Sequence, residues 1–118
     1  MDIITFREYC LSFKGVTEGT PFGEDVLVFK VKGKIFCTTH IDSFEFINLK
    51  CDPDKAVLLR EEFPAVMPGY HMNKKHWNSV YMDGSVPDKL IREWIADSYN
   101  LVVVGLPKKV QKELSGKD

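Results

Sequence analysis

The stretch VLVFKVKGKIFCTT, residues 26–39, decides the fold. Its two halves, residues 26–31 and 35–39, are rich in β-branched and aromatic residues, which favour strands. Lys32-Gly33 lies between them, and a glycine can take the positive φ angle that a tight hairpin turn requires. The sequence therefore predicts an antiparallel β-hairpin.

Further strands are predicted beyond the hairpin. Residues 44–49 are typical of a third strand, and residues 76–82 of another, in which Trp77, Ser79 and Tyr81 alternate onto one face. Strands that follow one another through short turns pair antiparallel. The expected sheet is therefore an antiparallel β-meander.

Three helices are predicted around these strands. Residues 3–13 carry apolar side chains at helical spacing. A second helix is expected over residues 53–62, because Asp52 can cap the free amides and Pro53 suits the first turn. The third helix is predicted from an apolar stripe formed by Leu90, Ile91, Trp94, Ile95, Ser98, Leu101 and Val102. Helices packed on an antiparallel sheet make the fold class α+β.

The ends of these elements carry their own signals. Ser85 with Asp88 three residues later resembles a capping box and predicts the start of the last helix. Residues 108–118 are polar and are expected to form a frayed tail. A chain of 118 residues with no repeat and no linker is the size of one domain, so residues 1–118 are expected to form a single domain.

Charge and cysteine content limit the possible functions. The formal net charge of −1 means that only a local patch could hold nucleic acid or an anionic membrane. The charged N-terminal residues lack a secretory pattern, and the longest apolar run, residues 101–106, is too short to span a bilayer. A cytoplasmic protein without membrane attachment is expected. Cys10, Cys37 and Cys51 show no ligand spacing and predict reduced thiols, with no metal and no cofactor.

Residues 15–23, GVTEGTPFG, form a glycine-rich segment. The pattern is neither a Rossmann G-x-G-x-x-G nor a Walker A loop, and its acidic neighbours Glu18, Glu24 and Asp25 would repel phosphate. We interpret the segment as a structural loop whose Phe22 packs into the core.

Residues 68–78, PGYHMNKKHWN, combine lysines, histidines and aromatic residues without an acid. Lysines can contact phosphate oxygens, and an exposed aromatic ring can stack on a base or another ligand. The alternative interpretation is a solvated turn in which Trp77 belongs to the core. The hairpin adds Lys30, Lys32 and Lys34, which either protect a strand edge or contact nucleic acid.

No motif in the chain supports catalysis. There is no G-x-S-x-G nucleophile elbow, and no pair of residues has the spacing of a nucleophile and its base. The protein is therefore expected not to be an enzyme.

Several motifs in their order resemble the MmcQ/YjbR-like family of small bacterial cytoplasmic proteins. The resemblance extends over roughly residues 3–110. It implies an α+β fold of the double-wing type, related in shape to frataxin-like proteins. It also implies DNA binding and no catalytic residues. The motifs are YCL at 9–11, GVTEGTPFGEDVLVFKV at 15–31, INLKCDP at 47–53, PGYHMNKKHWN at 68–78 and LVVVGLPKK at 101–109.

The leading hypothesis is a DNA-binding protein with a regulatory role that contacts the phosphate backbone through basic hairpin wings. The residues expected to contact DNA are Lys30, Lys32, Lys34, Asn73, Lys74, Lys75, His76 and Trp77. The alternative is a module without enzymatic activity that binds a small molecule or a protein partner at the surface of Tyr70, His71 and Trp77. Its expected ligand-binding residues are Glu18, Thr20, Phe22, Tyr70 and His71.

Overall fold

The computed structural model describes residues 1–116, which form one α+β domain of four helices and six strands. The helices are α1 (Ile3–Leu11), α2 (Pro53–Glu62), α3 (Asp88–Val104) and α4 (Lys108–Leu114). The strands are β1 (Val16–Gly19), β2 (Val26–Val31), β3 (Lys34–His40), β4 (Phe46–Lys50), β5 (Val66–Pro68) and β6 (Trp77–Tyr81). The predicted α+β class is confirmed.

All six strands belong to one antiparallel sheet in the order β1-β2-β3-β4-β6-β5. Strands β1 to β4 form the meander, and β6 then pairs with β4 while the short β5 lies outside it. β2 and β4 both run toward the end of the sheet that carries the Lys32-Gly33 turn. Because β6 is antiparallel to β4 and β5 is antiparallel to β6, β6 starts and β5 ends at that same end. The connection from β5 to β6 therefore lies there too.

One face of the sheet is covered by the helices, and we call it the covered face. Helix α3 packs across β3 and β4, and α1 packs beside β1. The Phe6 ring meets the edge of Phe29 at a centroid distance of 5.6 Å, and Phe36, Ile47 and Ile95 are fully buried. Each such side chain contributes roughly 1.5–3 kcal/mol to stability through burial.

A β-bulge in the central hairpin fits this face to α3. The register pairs Phe29 with Cys37 and then Lys30 with Ile35, so Phe36 is an extra residue of β3 without a partner. The Ser98 hydroxyl of α3 donates to the Phe36 carbonyl at 2.5 Å and accepts the Lys50 amide at 2.9 Å. The buried serine thereby satisfies backbone groups that the bulge leaves free.

The helix starts follow the sequence signals in part. Asp52 accepts the Lys55 amide at 3.2 Å and caps α2 as predicted. The predicted capping box is wrong: α3 begins at Asp88 after Pro87, without a side-chain cap. Ser85 instead donates its amide and hydroxyl to Asp83, at 2.9 and 2.6 Å, and closes the preceding turn.

Other differences concern short elements. The predicted loop of residues 15–23 contains strand β1, which pairs with β2. The predicted fraying is wrong for Lys108–Leu114, which form α4 because Leu114 is buried in the core. Residues 117–118 of the predicted tail lie outside the described residues. In the part of the chain that the structure describes, no helix has both the length and the apolar character needed to cross a membrane.

Candidate functional site

The opposite face of the sheet carries no helix among the described elements, and we call it the open face. A row of side chains crosses it from β2 to β6, because the register places Val28 beside Thr38, Thr38 beside Asn48 and Asn48 beside Ser79. These residues are nevertheless buried. Two connecting segments, residues 20–25 and 69–76, lie over this face.

Hydrogen bonds tie the second of these segments to the open face. The Tyr70 amide donates to the Ser79 hydroxyl oxygen at 2.9 Å, and the Ser79 hydroxyl donates to Asn48 Oδ1 at 2.5 Å. The Asn48 side-chain amide in turn donates to Thr38 Oγ1 at 3.0 Å. The polar side chains of this row therefore form one continuous chain of hydrogen bonds beneath the segment.

Aromatic contacts fix the same segment. Tyr70 meets Phe46 edge-on at a centroid distance of 5.8 Å and lies 4.1 Å from the ring of His71. The ring of His40 also contacts Phe46, at a centroid distance of 5.6 Å. His71 has a φ angle of 56°, a left-handed conformation that non-glycine residues adopt rarely and that is enriched at functional sites.

A cavity of about 380 Å³ opens between the two segments and the open face. Its size lies within the range of small-molecule pockets. Phe22 forms one wall, and because it is 66% exposed, the prediction that it packs into the core is wrong. The cavity, which we call the open-face cleft, is lined by Phe22, Val26, Ile35, Thr38, Thr39, His40, Asn48, Tyr70, His71 and Met72.

The structure brings together part of the predicted ligand site. Phe22, Tyr70 and His71 all line the open-face cleft. Glu18 and Thr20 line a separate depression instead. Arg7 Nε donates to Glu18 Oε1 at 2.7 Å, and this hydrogen bond raises the Arg7 pKa.

The predicted DNA contacts gather at one end of the sheet, the end of the Lys32-Gly33 turn. Lys30 and Lys34 flank that turn, and the segment with Lys74 and Lys75 returns to the same end at the start of β6. Three strand spacings separate β2 from β6, or about 14 Å. We call this group the basic end: Lys30, Lys32, Lys34, Lys50, Lys74 and Lys75.

The ammonium groups of the basic end form no ion pair with a carboxylate in the described part of the chain. The ion pairs within residues 1–116 join the Met1 amino group to Asp88, Arg7 to Glu18 and Lys55 to Asp97, and none includes a lysine of the basic end. The nearby Asp52 carboxylate is occupied with the cap of α2. A local positive patch thus exists on a chain whose net charge is −1.

The other predicted DNA contacts shape the turn. Asn73 Oδ1 accepts the Lys75 amide at 2.9 Å, and the His76 carbonyl accepts the Cys51 amide at 2.8 Å. Trp77 is half-buried against Gly69, where an added Cβ would lie 2.8 Å from the Trp77 Cβ. Only glycine fits there, so these residues position the segment that carries the lysines.

The cysteines do not form a reactive site. Cys10 and Cys37 are fully buried, and burial together with the neighbouring Cys10 thiol raises the pKa of Cys37 well above its ordinary value. Burial also raises the Cys51 pKa, which the nearby Lys55 partly offsets. Within residues 1–116, no cluster of His, Cys, Asp or Glu side chains could hold a metal ion.

Several site residues were missed in the sequence. Lys50 ends β4 beside Trp77 and adds to the basic end, and its position after an apolar strand was a usable signal. Thr38 and Asn48 line the cleft although they lie in strands rich in apolar residues. Polar residues within an apolar strand indicate that one face of the strand does not pack entirely against apolar side chains. They do not indicate which segment covers that face.

Comparisons with known proteins agree on one family. The family model described as YjbR matches residues 11–101. The chain is 50% identical to the protein YbdF of Escherichia coli O157:H7 over 95 residues, which are 80% of this chain and 78% of that protein. It is 32% identical to the protein YjbR of Escherichia coli K12 over 115 residues, which cover 97% and 98% of the two chains.

Solved structures show the same fold. The crystal structure of Deinococcus radiodurans protein DR2400, with a DUF419 domain, superposes with a TM-score of 0.90 at 37% identity over 98% of this chain and 88% of that chain. A crystal structure of a protein from Pseudomonas syringae gives a TM-score of 0.72 at 28% identity over 86% of this chain and 98% of that chain.

Proposed function

This chain belongs to the YjbR family, and we propose that it binds duplex DNA through phosphate contacts made by the basic end. The observation that carries the proposal is the strand register, which brings the lysines of the central hairpin and those of residues 74–75 to the same end of the sheet. The sequence separates these groups by some forty positions.

The spacing of the strands at the basic end suits a nucleic-acid backbone. The width of about 14 Å between β2 and β6 is close to that of a DNA major groove, about 12 Å. Lysines on both sides of such a groove can contact phosphates of the two strands. Because phosphate contacts carry no sequence information, the expected binding is weakly selective and strongly dependent on salt.

The proposed activity is binding and not catalysis. The ammonium groups supply positive charge, and Gly69 and Asn73 hold the turn that presents Lys74 and Lys75. Lys74 Nζ also donates to the Gly69 carbonyl at 3.0 Å, which limits the positions of that side chain. We place this function in the cytoplasm, in agreement with the free thiols of the chain.

The experiment is a salt titration of duplex binding by fluorescence anisotropy. Each phosphate contact contributes about 0.9 to the slope of log affinity against log salt concentration. The double variant Lys74→Ala/Lys75→Ala should lower this slope by roughly two and weaken binding equally for duplexes of different sequence. Both lysines are exposed, so the fold should be unchanged.

The control is Lys108→Ala/Lys109→Ala, which removes the same charge from exposed positions on α4. It should leave the slope unchanged. Absence of duplex binding by the original chain at low salt would refute the proposal. An equal loss in both double variants would mean that net charge, and not the basic end, determines the affinity.

A further inference from the structure

We propose that the open-face cleft binds an uncharged, planar heteroaromatic ring that carries a hydrogen-bond acceptor. This site is separate from the phosphate contacts of the basic end and does not depend on them. The ring would lie between Phe22 of one segment and Tyr70 and His71 of the other, above the polar row of the sheet.

The walls of the cleft favour a flat aromatic ligand. Phe22 and Tyr70 are 66% and 53% exposed, which is unusual for large aromatic side chains in a folded domain. They come from segments that lie about fifty positions apart in the sequence, and both line one cavity of about 380 Å³. Aromatic side chains around a cavity bind flat rings by stacking and by edge-to-face contact.

The lining also disfavours a charged ligand. The described lining residues are aromatic, aliphatic, neutral polar or histidine side chains, and none is a carboxylate, a lysine or an arginine. A charged group placed in such a cleft would lose its hydration without gaining one of these groups as an opposing charge. The ligand is therefore uncharged in the part that enters.

The hydrogen-bond chain specifies what the ring must offer. The Tyr70 backbone amide can only donate a hydrogen bond, so the Ser79 hydroxyl oxygen accepts it. The Ser79 hydroxyl then donates to Asn48 Oδ1. The Asn48 amide then donates to Thr38 Oγ1, which is already an acceptor. Within residues 1–116, Thr38 Oγ1 takes part in this chain as an acceptor, so its hydroxyl hydrogen is free to be donated into the cleft.

Because Thr38 lines the cleft, its hydroxyl can donate to a group that is bound there. A carbonyl oxygen or an unprotonated ring nitrogen of the ligand would accept this hydrogen. A ligand donor would use the second lone pair of Thr38 Oγ1 and would leave the hydroxyl hydrogen unused, so an acceptor is favoured at this position. This preference narrows the ligand to a heterocycle with an acceptor on its edge.

Two sources can supply such a ring. One is a free heterocycle, and the other is an unpaired base of a nucleic-acid strand that lies along the basic end. The shared chemistry is the uncharged ring with its acceptor. The experiment therefore uses both sources. The free heterocycles are adenine and nicotinamide, and the nucleic acid is a single-stranded adenine oligonucleotide.

The test is a titration of the full ¹⁵N-labelled chain with each probe, followed by amide chemical shifts. Adenine, nicotinamide or both should shift the amides of Phe22, Thr38, Tyr70 and His71 at about 1 mM, the range of a weak specific site. Benzoate and benzylammonium, which have a planar ring but carry a charge, should shift them much less. Cleft shifts with the oligonucleotide alone would also support the site and assign the ring to a nucleic-acid strand.

Two variants test the hydrogen bond. Thr38→Val keeps the shape and removes the hydroxyl, and should weaken binding about three- to tenfold. Thr38→Ser keeps the hydroxyl and should bind within about twofold of the original chain. If Thr38→Val does not fold, Phe22→Ser removes an exposed wall instead and should weaken binding about fivefold or more.

The proposal is overturned if no uncharged probe, free or in the oligonucleotide, shifts the cleft amides. It is also overturned if the charged rings bind as well as the uncharged ones, or if both the Thr38→Val and Phe22→Ser variants bind like the original chain. Duplex binding by the basic end is measured separately by its salt slope, so failure of one proposal leaves the other standing.

Discussion

The covered face and the open face of the sheet are built from the same strands but packed in different ways. On the covered face, Phe29 and Ile47 meet helices and are fully buried among apolar side chains. On the open face, Thr38 and Asn48 form hydrogen bonds beneath two connecting segments. Strand residues alternate between the faces, so β3 and β4 serve both.

The difference shows where stability and function are separated in this domain. Apolar burial against helices supplies most of the folding free energy. The open face, which is covered only by the two connecting segments, keeps a cavity and exposed aromatic rings. Changes on the covered face should therefore alter stability, whereas changes on the open face should alter binding.

The largest expected contrast is in thiol reactivity. Cys10 and Cys37 lie in the covered interior at 0% exposure, whereas Cys51 is half-buried near the basic end. Buried thiols react only when the domain opens, so Cys10 and Cys37 should label at least about a thousandfold more slowly than Cys51.

The measurement is mass spectrometry after timed exposure to a thiol reagent, with Cys51→Ser to assign the fast site. Because burial raises the Cys51 pKa, its labelling should also be slower than that of a free cysteine and should increase as the pH rises through its pKa. Rapid labelling of Cys10 or Cys37 would mean that the covered face is not closed.

The next largest effect is expected at Trp94 of α3. Trp94 is 7% exposed and meets Phe63 edge-on at 5.1 Å. Trp94→Ala should lower the free energy of unfolding by about 3–5 kcal/mol and the melting temperature by roughly 10–20 °C. Val104→Ala is the control, since Val104 lies on the same helix at 67% exposure and should change stability by less than about 0.5 kcal/mol.

Ser98 tests whether polar groups on the covered face are structural. Ser98→Ala would leave the Lys50 amide and the Phe36 carbonyl without their side-chain partner. The expected loss is about 1–3 kcal/mol of unfolding free energy, measured by urea denaturation. An unchanged midpoint would contradict the interpretation that this serine satisfies the β-bulge.

Long periodic elements of the covered face could be predicted from the sequence. The apolar stripe of α3 and the hairpin of β2 and β3 carry local signals, and both are confirmed. Strand β1 could not be predicted in this way, because its four residues gain their strand conformation from pairing with β2. Helix α4 had a usable signal, since Leu106, Val110 and Leu114 repeat every four residues.

The open-face cleft could be predicted only as fragments. The sequence predicts Phe22, Tyr70 and His71 as ligand contacts, but no local signal shows that the segments that carry them meet. The sequence interpretation places Phe22 in the core, whereas the structure leaves it 66% exposed. The sheet register, a long-range property, is what opens the cleft and also gathers the basic end.

The smallest stability effect is expected at Phe22, where it would sharpen the contrast between the faces. Phe22→Ser removes a large apolar ring that is 66% exposed, so little buried area is lost. The free energy of unfolding should change by less than about 0.5 kcal/mol. The matched change Phe36→Ser, at 0% exposure, should cost at least about 3–5 kcal/mol. Urea denaturation of both variants measures the contrast. A loss of more than about 1 kcal/mol in Phe22→Ser would show that the ring helps to hold the sheet and that the open face is part of the core.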